Sequence, residues 1–183
     1  DNLLIKVPGN EAGLRAFERL TAEGMRVNVT LLFSLHHVAR TFEAYIRGAQ
    51  QWLDKGGNPA QLKAVASLFL SRVDTPADKK LDALGTAQAL ALRGKGAVAM
   101  AKLVYQRYKE LFHGKYFADL KAKGCRPQLP LWASTGTKNP AYSDVLYVDS
   151  LIGPETVNTI PDATLALFRD HGKAAATLEA DVD

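Results

Sequence analysis

The chain reads as an α/β protein on a parallel sheet, with a (β/α)8 barrel favoured over an open doubly wound sheet. Three observations carry this reading. Five short apolar runs alternate with longer amphipathic stretches, the strand–helix–strand rhythm of a parallel sheet. Polar side chains fall within or at the C-terminal ends of four runs: Lys6, Asn28 with Thr30, Ser67 leading to Arg72, and Ser134. Chemistry gathered from several strand ends is what a barrel does. No Gly-rich phosphate loop follows any run, and the nearest candidate, Val7-Pro8-Gly9-Asn10, has neither the dinucleotide nor the P-loop spacing.

The first run covers residues 3–7. Asn10 is placed to cap a helix over 11–23, with Leu14, Phe17 and Leu20 on one side and Gly24 as its stop. The second run, 27–33, leads to Ser34, the cap of a helix over 35–53 that ends before Gly56-Gly57 and Pro59. The third run, 65–70, precedes two expected helices, 78–90 and 97–111, with Gly94 and Gly96 between them. The fourth run, 128–133, precedes a short helix over 144–151 closed by Gly153-Pro154. The fifth run, 156–160, is followed by a helix from Asp162 to His171-Gly172. The Ala-rich, acidic tail 173–183 is expected to start another helix. The runs are rich in β-branched and bulky residues, as strands buried on both faces are.

Composition narrows the function. At 183 residues and 19.9 kDa the chain is one domain's worth. With 47% hydrophobic and 23% charged residues it is neither disordered, collagenous nor coiled coil. No apolar run approaches the ~20 residues of a membrane span, so no membrane partner is expected. The formal charge is +4, but Lys and Arg are interrupted by acids, as in Lys79-Lys80-Leu81-Asp82. A basic stripe with interleaved aromatics is missing, so nucleic acid is not expected either. The positive bias suits an anionic small molecule. The single cysteine, Cys125, excludes an internal disulfide and a thiolate zinc cluster and fits a reducing compartment. No secretory signal opens the chain, and the expected compartment is the cytoplasm. Adjacent His36 and His37 point to different helix faces, away from the usual i, i+4 metal spacing.

Lys6 is the most informative residue. Flanked by Leu3, Leu4, Ile5 and Val7 in a strand expected to be buried, its ammonium is costly and its neutral amine favoured. A neutral amine is what attack on a carbonyl to form a Schiff base requires; the alternative is a strand-end lysine that snorkels to solvent. Asn28 and Thr30 share one strand face by the period of two. They suit hydrogen bonds to substrate hydroxyls or to a proton-shuttling water, or are satisfied polar residues of a strand. Arg72 suits bidentate phosphate binding, or an ion pair with Asp74. The stretch from Trp132 to Pro140 runs from a strand end into a hydroxyl- and glycine-rich loop with a lysine, which suits a phosphate cradle of backbone N–H groups.

In this order, Leu-Ile-Lys-Val-Pro-Gly, Val-Asn-Val-Thr-Leu-Leu-Phe-Ser, Val-Ala-Ser-Leu-Phe-Leu-Ser-Arg-Val-Asp, Trp-Ala-Ser-Thr-Gly-Thr-Lys-Asn-Pro-Ala-Tyr and Val-Asn-Thr-Ile-Pro resemble the transaldolase family. The Thr-Lys-Asn-Pro-Ala-Tyr block and the following Leu-Tyr-Val-Asp-Ser-Leu-Ile-Gly-Pro-Glu-Thr-Val-Asn-Thr resemble its bacterial long-chain branch, some of whose members are fused to a glucose-6-phosphate isomerase. The resemblance implies a TIM barrel and a class I aldolase-type transferase of the pentose phosphate pathway, working without cofactor or metal. Such an enzyme moves a dihydroxyacetone unit from a ketose phosphate (sedoheptulose 7-phosphate or fructose 6-phosphate) to an aldose phosphate. Fructose-6-phosphate aldolase chemistry is the near alternative. By position, Lys6 matches the Schiff-base lysine of the fourth strand, and Asn28 and Thr30 the fifth-strand pair that binds the intermediate and holds the proton-transfer water. Ser67 and Phe69 match sixth-strand lining residues. Arg72 and Ser134 match phosphate ligands. Gly136 stands where the family has a second phosphate arginine, for which Lys138 is the substitute. Asn10 stands where the family usually has Thr, at the helix cap.

The resemblance also implies that residues 1–183 are a partial barrel, strands four to eight. The first three strands, with a general acid/base aspartate, a substrate-binding asparagine and a water-activating glutamate, are expected from another chain or segment. The chain by itself is expected to be inactive or weakly active, or a catalytically silent half-barrel that binds sugar phosphates.

Overall fold

The computed structural model describes residues 2–182. Among them five strands form one sheet in the order β1 (Ile5–Pro8), β2 (Val27–Leu32), β3 (Ala64–Phe69), β4 (Leu129–Ala133) and β5 (Val157–Asn158). The β1–β2 and β2–β3 pairs are parallel. Spatial order equals chain order, without the reversal that marks a doubly wound sheet. The α/β class holds, and the order is that of a barrel arc. The helices are α1 (Glu11–Thr21), α2 (Leu35–Asp54), α3 (Ser71–Leu84), α4 (Ala87–Leu90), α5 (Gly96–Phe112), α6 (Ala118–Ala122), α7 (Leu146–Asp149) and α8 (Asp162–His171), with a 3-10 turn over Pro59–Gln61.

The expected caps are present. The Asn10 side chain accepts from the Gly13 N–H at 2.8 Å and Ser34 from the His37 N–H at 3.2 Å. Gly13 is required: a Cβ there would lie 1.8 Å from the Pro8 carbonyl oxygen, so α1 starts this close to the end of β1 only with glycine.

The chain divides into two compact units. One contains the chain up to Leu68 together with Val104–Leu131; the other contains Phe69–Leu103 and the chain from Trp132 on. The first is centred on buried aromatics. Phe42 and Phe112 meet edge-on at 5.2 Å, as do Phe112 and Phe117 at 5.0 Å, and Tyr45 stacks on Phe17. The Tyr45 hydroxyl donates to the Arg126 carbonyl at 2.6 Å, which gives its buried oxygen a partner. In the second unit Leu70, Ala97, Ala101, Trp132, Val145 and Leu151 are buried, and the Trp132 indole N–H donates to the Leu151 carbonyl at 3.2 Å.

Three expectations need correction. Only β3 and β4 are buried along nearly their whole length; in β1 only Val7 is buried. Among the described residues β1 has a neighbour on one side alone, and the period of two turns Lys6 and Pro8 away from the Val7 side. The helix expected over 78–90 begins at Ser71, directly after β3, and ends at Gly85 in the left-handed conformation, φ 64°. Among the described residues of the tail there is no helix. Instead Thr177 and Leu178 donate their N–H groups to the Ile152 carbonyl at 3.0 and 3.1 Å, and Leu178 is buried against Gly153.

Candidate functional site

Each unit carries one group of the expected residues. In the first unit, β1 and β2 place Lys6 beside Asn28 in register, with Pro8 beside Thr30. Register partners on parallel strands share a face, so Lys6, Asn28 and Thr30 project to the same side. Ser67 on β3 joins them: its hydroxyl donates to the Asn28 side-chain oxygen at 2.7 Å. That bond fixes the amide orientation and leaves the Asn28 NH2 as a donor on this face. Asn28 and Thr30 are half-buried, Ser67 is buried, and Lys6 is exposed. The burial expected around Lys6 is therefore not present in this chain, where the residue is exposed.

A bulge lies beyond Thr30. The β2–β3 register shifts between Val29 and Leu32, and Leu31 takes φ 61° with 44% of its surface exposed. The extra residue resets the alternation, so Val27, Val29 and Leu32 are all buried. It also marks the strand end where the Gly9 N–H donates to the Thr30 carbonyl at 2.8 Å.

In the second unit, Arg72 is the second residue of α3 rather than a strand-end residue. It is exposed, and its guanidinium lies over the Phe69 ring, 5.0 Å from the centroid. Such stacking orients the fork without using its donors. The alternative pair with Asp74 does not form. The Asp74 carboxylate accepts from the Ala97 N–H at 2.7 Å and from the Tyr147 hydroxyl at 2.8 Å.

Ser134 follows β4 with φ 57°, a left-handed backbone that costs a non-glycine residue of order 1–3 kcal/mol. Its carbonyl accepts from the Ser71 N–H at 3.2 Å, and the Ala133 carbonyl accepts from the Leu70 N–H at 3.0 Å. The two hydroxyls of Ser71 and Ser134 are 2.8 Å apart. Much of the hydroxyl-rich loop beyond is committed to itself and its surroundings. Thr135 donates to the Asn158 side chain at 3.0 Å, and Thr137 to the Ser143 carbonyl at 2.9 Å. Lys138 is exposed and lines a cleft of about 230 Å³ with Asp74, Asp78, Asp82, Tyr142 and Tyr147.

The sequence reading did not foresee the polar network under this loop. Asp78, one helical turn after Asp74, repeats its pattern: it accepts from the Gly94 N–H at 3.0 Å and the Tyr142 hydroxyl at 2.7 Å. Burial holds the Asp74 carboxyl above the ordinary carboxylate value, although Tyr147 and the Ala97 N–H pull it down. Burial, then Asp78, push the Tyr142 phenol up to about 12, and burial with Asp74 pushes Tyr147 well up. In both pairs the tyrosine hydroxyl donates and the aspartate accepts. The available signal was two aspartates at i, i+4 on one helix face.

Among the described residues no group of three His, Cys, Asp or Glu side chains is placed to hold a metal ion. No described helix is long and apolar enough to cross a membrane.

The arrangement offers a lysine amine beside an amide and two hydroxyls in one unit, and an arginine and a serine suited to an anion in the other. A family model described as Transaldolase/Fructose-6-phosphate aldolase matches residues 1–183. The chain is 57% identical over 182 residues to a transaldolase of Thiobacillus denitrificans, covering 100% of this chain and 51% of that protein. It is 51% identical over 172 residues to a transaldolase of Mycolicibacterium smegmatis, covering 94% of this chain and 46% of that one. A protein named transaldolase 2 from Nostoc sp. is 47% identical over 191 residues, 100% of this chain and 50% of its own. The chain spans about half the length of the curated relatives it matches.

Proposed function

The chain belongs to the transaldolase/fructose-6-phosphate aldolase family, and from that premise we propose that it carries the Schiff-base and phosphate-binding residues of a cytoplasmic transaldolase. The reaction moves a dihydroxyacetone unit from a ketose phosphate, fructose 6-phosphate or sedoheptulose 7-phosphate, to an aldose phosphate in the pentose phosphate pathway. The observation that carries the reading is the pairing of Lys6 with Asn28 in register, with Ser67 holding the Asn28 amide.

Lys6 attacks the C2 carbonyl of the ketose and water leaves, forming an iminium. This electron sink lets the C3–C4 bond break, releases the aldose and keeps a three-carbon enamine on the lysine. The enamine carbon then adds to the aldehyde of the acceptor, and hydrolysis frees Lys6. The Asn28 NH2 binds a substrate hydroxyl, and Thr30 holds the water that moves protons. Ser67 keeps Asn28 in place, and Phe69 supports Arg72. Arg72 and Ser134 take the phosphate. Lys138 adds positive charge at longer range, reduced by the carboxylates that share its cleft.

The remaining strands of the barrel, supplied by another chain or segment, enclose Lys6 and bring the substrate-binding asparagine, together with the aspartate and glutamate that the family uses for proton transfer. Positioned acid–base groups are each worth about 10²–10⁴-fold, so residues 1–183 alone turn over far more slowly than the complete enzyme.

The test is to supply the complete protein with fructose 6-phosphate, with and without an aldose phosphate acceptor. Transfer that requires the acceptor supports transaldolase. Release of free dihydroxyacetone without acceptor supports aldolase chemistry. Binding of sugar phosphate without either product leaves a silent binding barrel.

A further inference from the structure

We propose that Ser71 is a positioning residue for the phosphate end of the substrate, because it dictates the direction in which the Ser134 hydroxyl donates. The proposal rests on the reading of Ser134 as a phosphate ligand and names the residue that makes that ligand effective.

Ser71 is buried, with 1% of its surface exposed, and its Oγ lies 2.8 Å from the Ser134 Oγ. The backbones that carry the two hydroxyls are tied together by two consecutive hydrogen bonds, Leu70 N–H to the Ala133 carbonyl and Ser71 N–H to the Ser134 carbonyl. The left-handed turn at Ser134 sets its side chain off the regular path of the strand it follows. These backbone bonds hold the two serines side by side.

The proton count then fixes the roles. Each serine hydroxyl has one proton and two lone pairs. A phosphate dianion offers acceptors only. For Ser134 to donate to it, the proton between the two serines has to come from Ser71. Ser71 thus spends its single proton on the Ser134 oxygen, and the Ser134 proton is left for the ligand. Donation into that oxygen also polarises its O–H bond outward, as in any chain of hydrogen bonds. Arg72 follows Ser71 in the first turn of α3, so one helix start presents a guanidinium and aims a neighbouring hydroxyl. Without the Ser71 hydroxyl, the Ser134 O–H is an unbiased rotor.

The experiment measures kcat and KM for fructose 6-phosphate and for unphosphorylated fructose in the complete enzyme. The variants are Ser71→Ala, Ser134→Ala and the double variant. Expected is a fall of about 3–10-fold in the preference for the phosphorylated ketose in Ser71→Ala, seen mainly in KM, the size of one neutral hydrogen bond. The double variant is expected to be no worse than Ser134→Ala. Ser71→Cys keeps a weak donor of similar size and is expected to lie between wild type and Ser71→Ala; it serves as the test should the alanine variant not fold. An unchanged preference in the Ser71 variants, with a clear loss in Ser134→Ala, overturns the role of Ser71 and leaves that of Ser134. An unchanged KM in Ser134→Ala overturns the phosphate reading itself and this inference with it. Equal losses on both ketoses, or additive losses in the double variant, make Ser71 a structural residue and also overturn the proposal.

Discussion

The hydroxyl of Tyr147 donates to the buried carboxylate of Asp74 at 2.8 Å, across 73 residues of sequence. The same carboxylate accepts the Ala97 N–H, so one side chain of α3 ties down both the start of α5 and the segment of α7. Asp78 repeats the arrangement with Gly94 and Tyr142. This two-level clamp fixes the helix that begins with Ser71 and Arg72 against the segment that follows Ser134.

Removing the Tyr147 hydroxyl leaves Asp74, only 2% exposed, short of a partner. Tyr147→Phe is expected to destabilise the fold by about 1.5–3 kcal/mol, the range for hydrogen bonds to charged groups. Tyr142→Phe, at a half-buried phenol, should cost less. Urea unfolding of the two variants checks the order; equal, negligible losses would show that the clamp holds nothing.

Much of the fold is legible in the sequence because its signals are local. Asn10 and Ser34 cap their helices as their positions require, and each of the five apolar runs overlaps a strand. What is not legible is non-local. Asp74 and Asp78 lie in a polar stretch with Pro76 between them, and only partners 64 and 73 residues away make theirs a buried face. The tail has helical composition but is held by Ile152 and by Asp149, whose side chain accepts the Lys173 N–H at 3.0 Å. Leu31 carries no sequence sign of its left-handed turn. In the site, the shared face of Asn28 and Thr30 follows from the period of two, while the place of Lys6 beside Asn28 depends on the register of β1 on β2, and its exposure on what stands beside β1.

His171 makes a pH-dependent contact. Its ring nitrogens lie 2.8 Å from Asp144 and 3.1 Å from Asp170, and hydrogen bonds to these carboxylates raise its pKa above 6.5. A raised histidine stabilises the fold fully below its unfolded value and loses that contribution as pH rises through the folded value. The His171 ring titration, followed by NMR, is expected to have a midpoint above 6.5 that falls in Asp144→Asn. A midpoint unmoved by that substitution would remove Asp144 as its partner.

Arg72→Ala is expected to raise KM for phosphorylated ketoses in the complete enzyme by roughly 10–100-fold, with a smaller effect on kcat. Arg72→Lys should recover little of this, because an ammonium provides neither the bidentate fork nor the same stacking over Phe69. Full recovery by lysine would reduce the role of Arg72 to net charge.

The central claim is that Lys6 forms the imine, and one measurement addresses it directly. The complete enzyme is treated with borohydride in the presence of fructose 6-phosphate, and the adduct is located by peptide mapping. The expected result is a reduced three-carbon dihydroxyacetone adduct on Lys6, with no adduct and no transfer activity in Lys6→Met. An adduct on Lys138 or any other lysine, or full activity in Lys6→Met, would contradict the account.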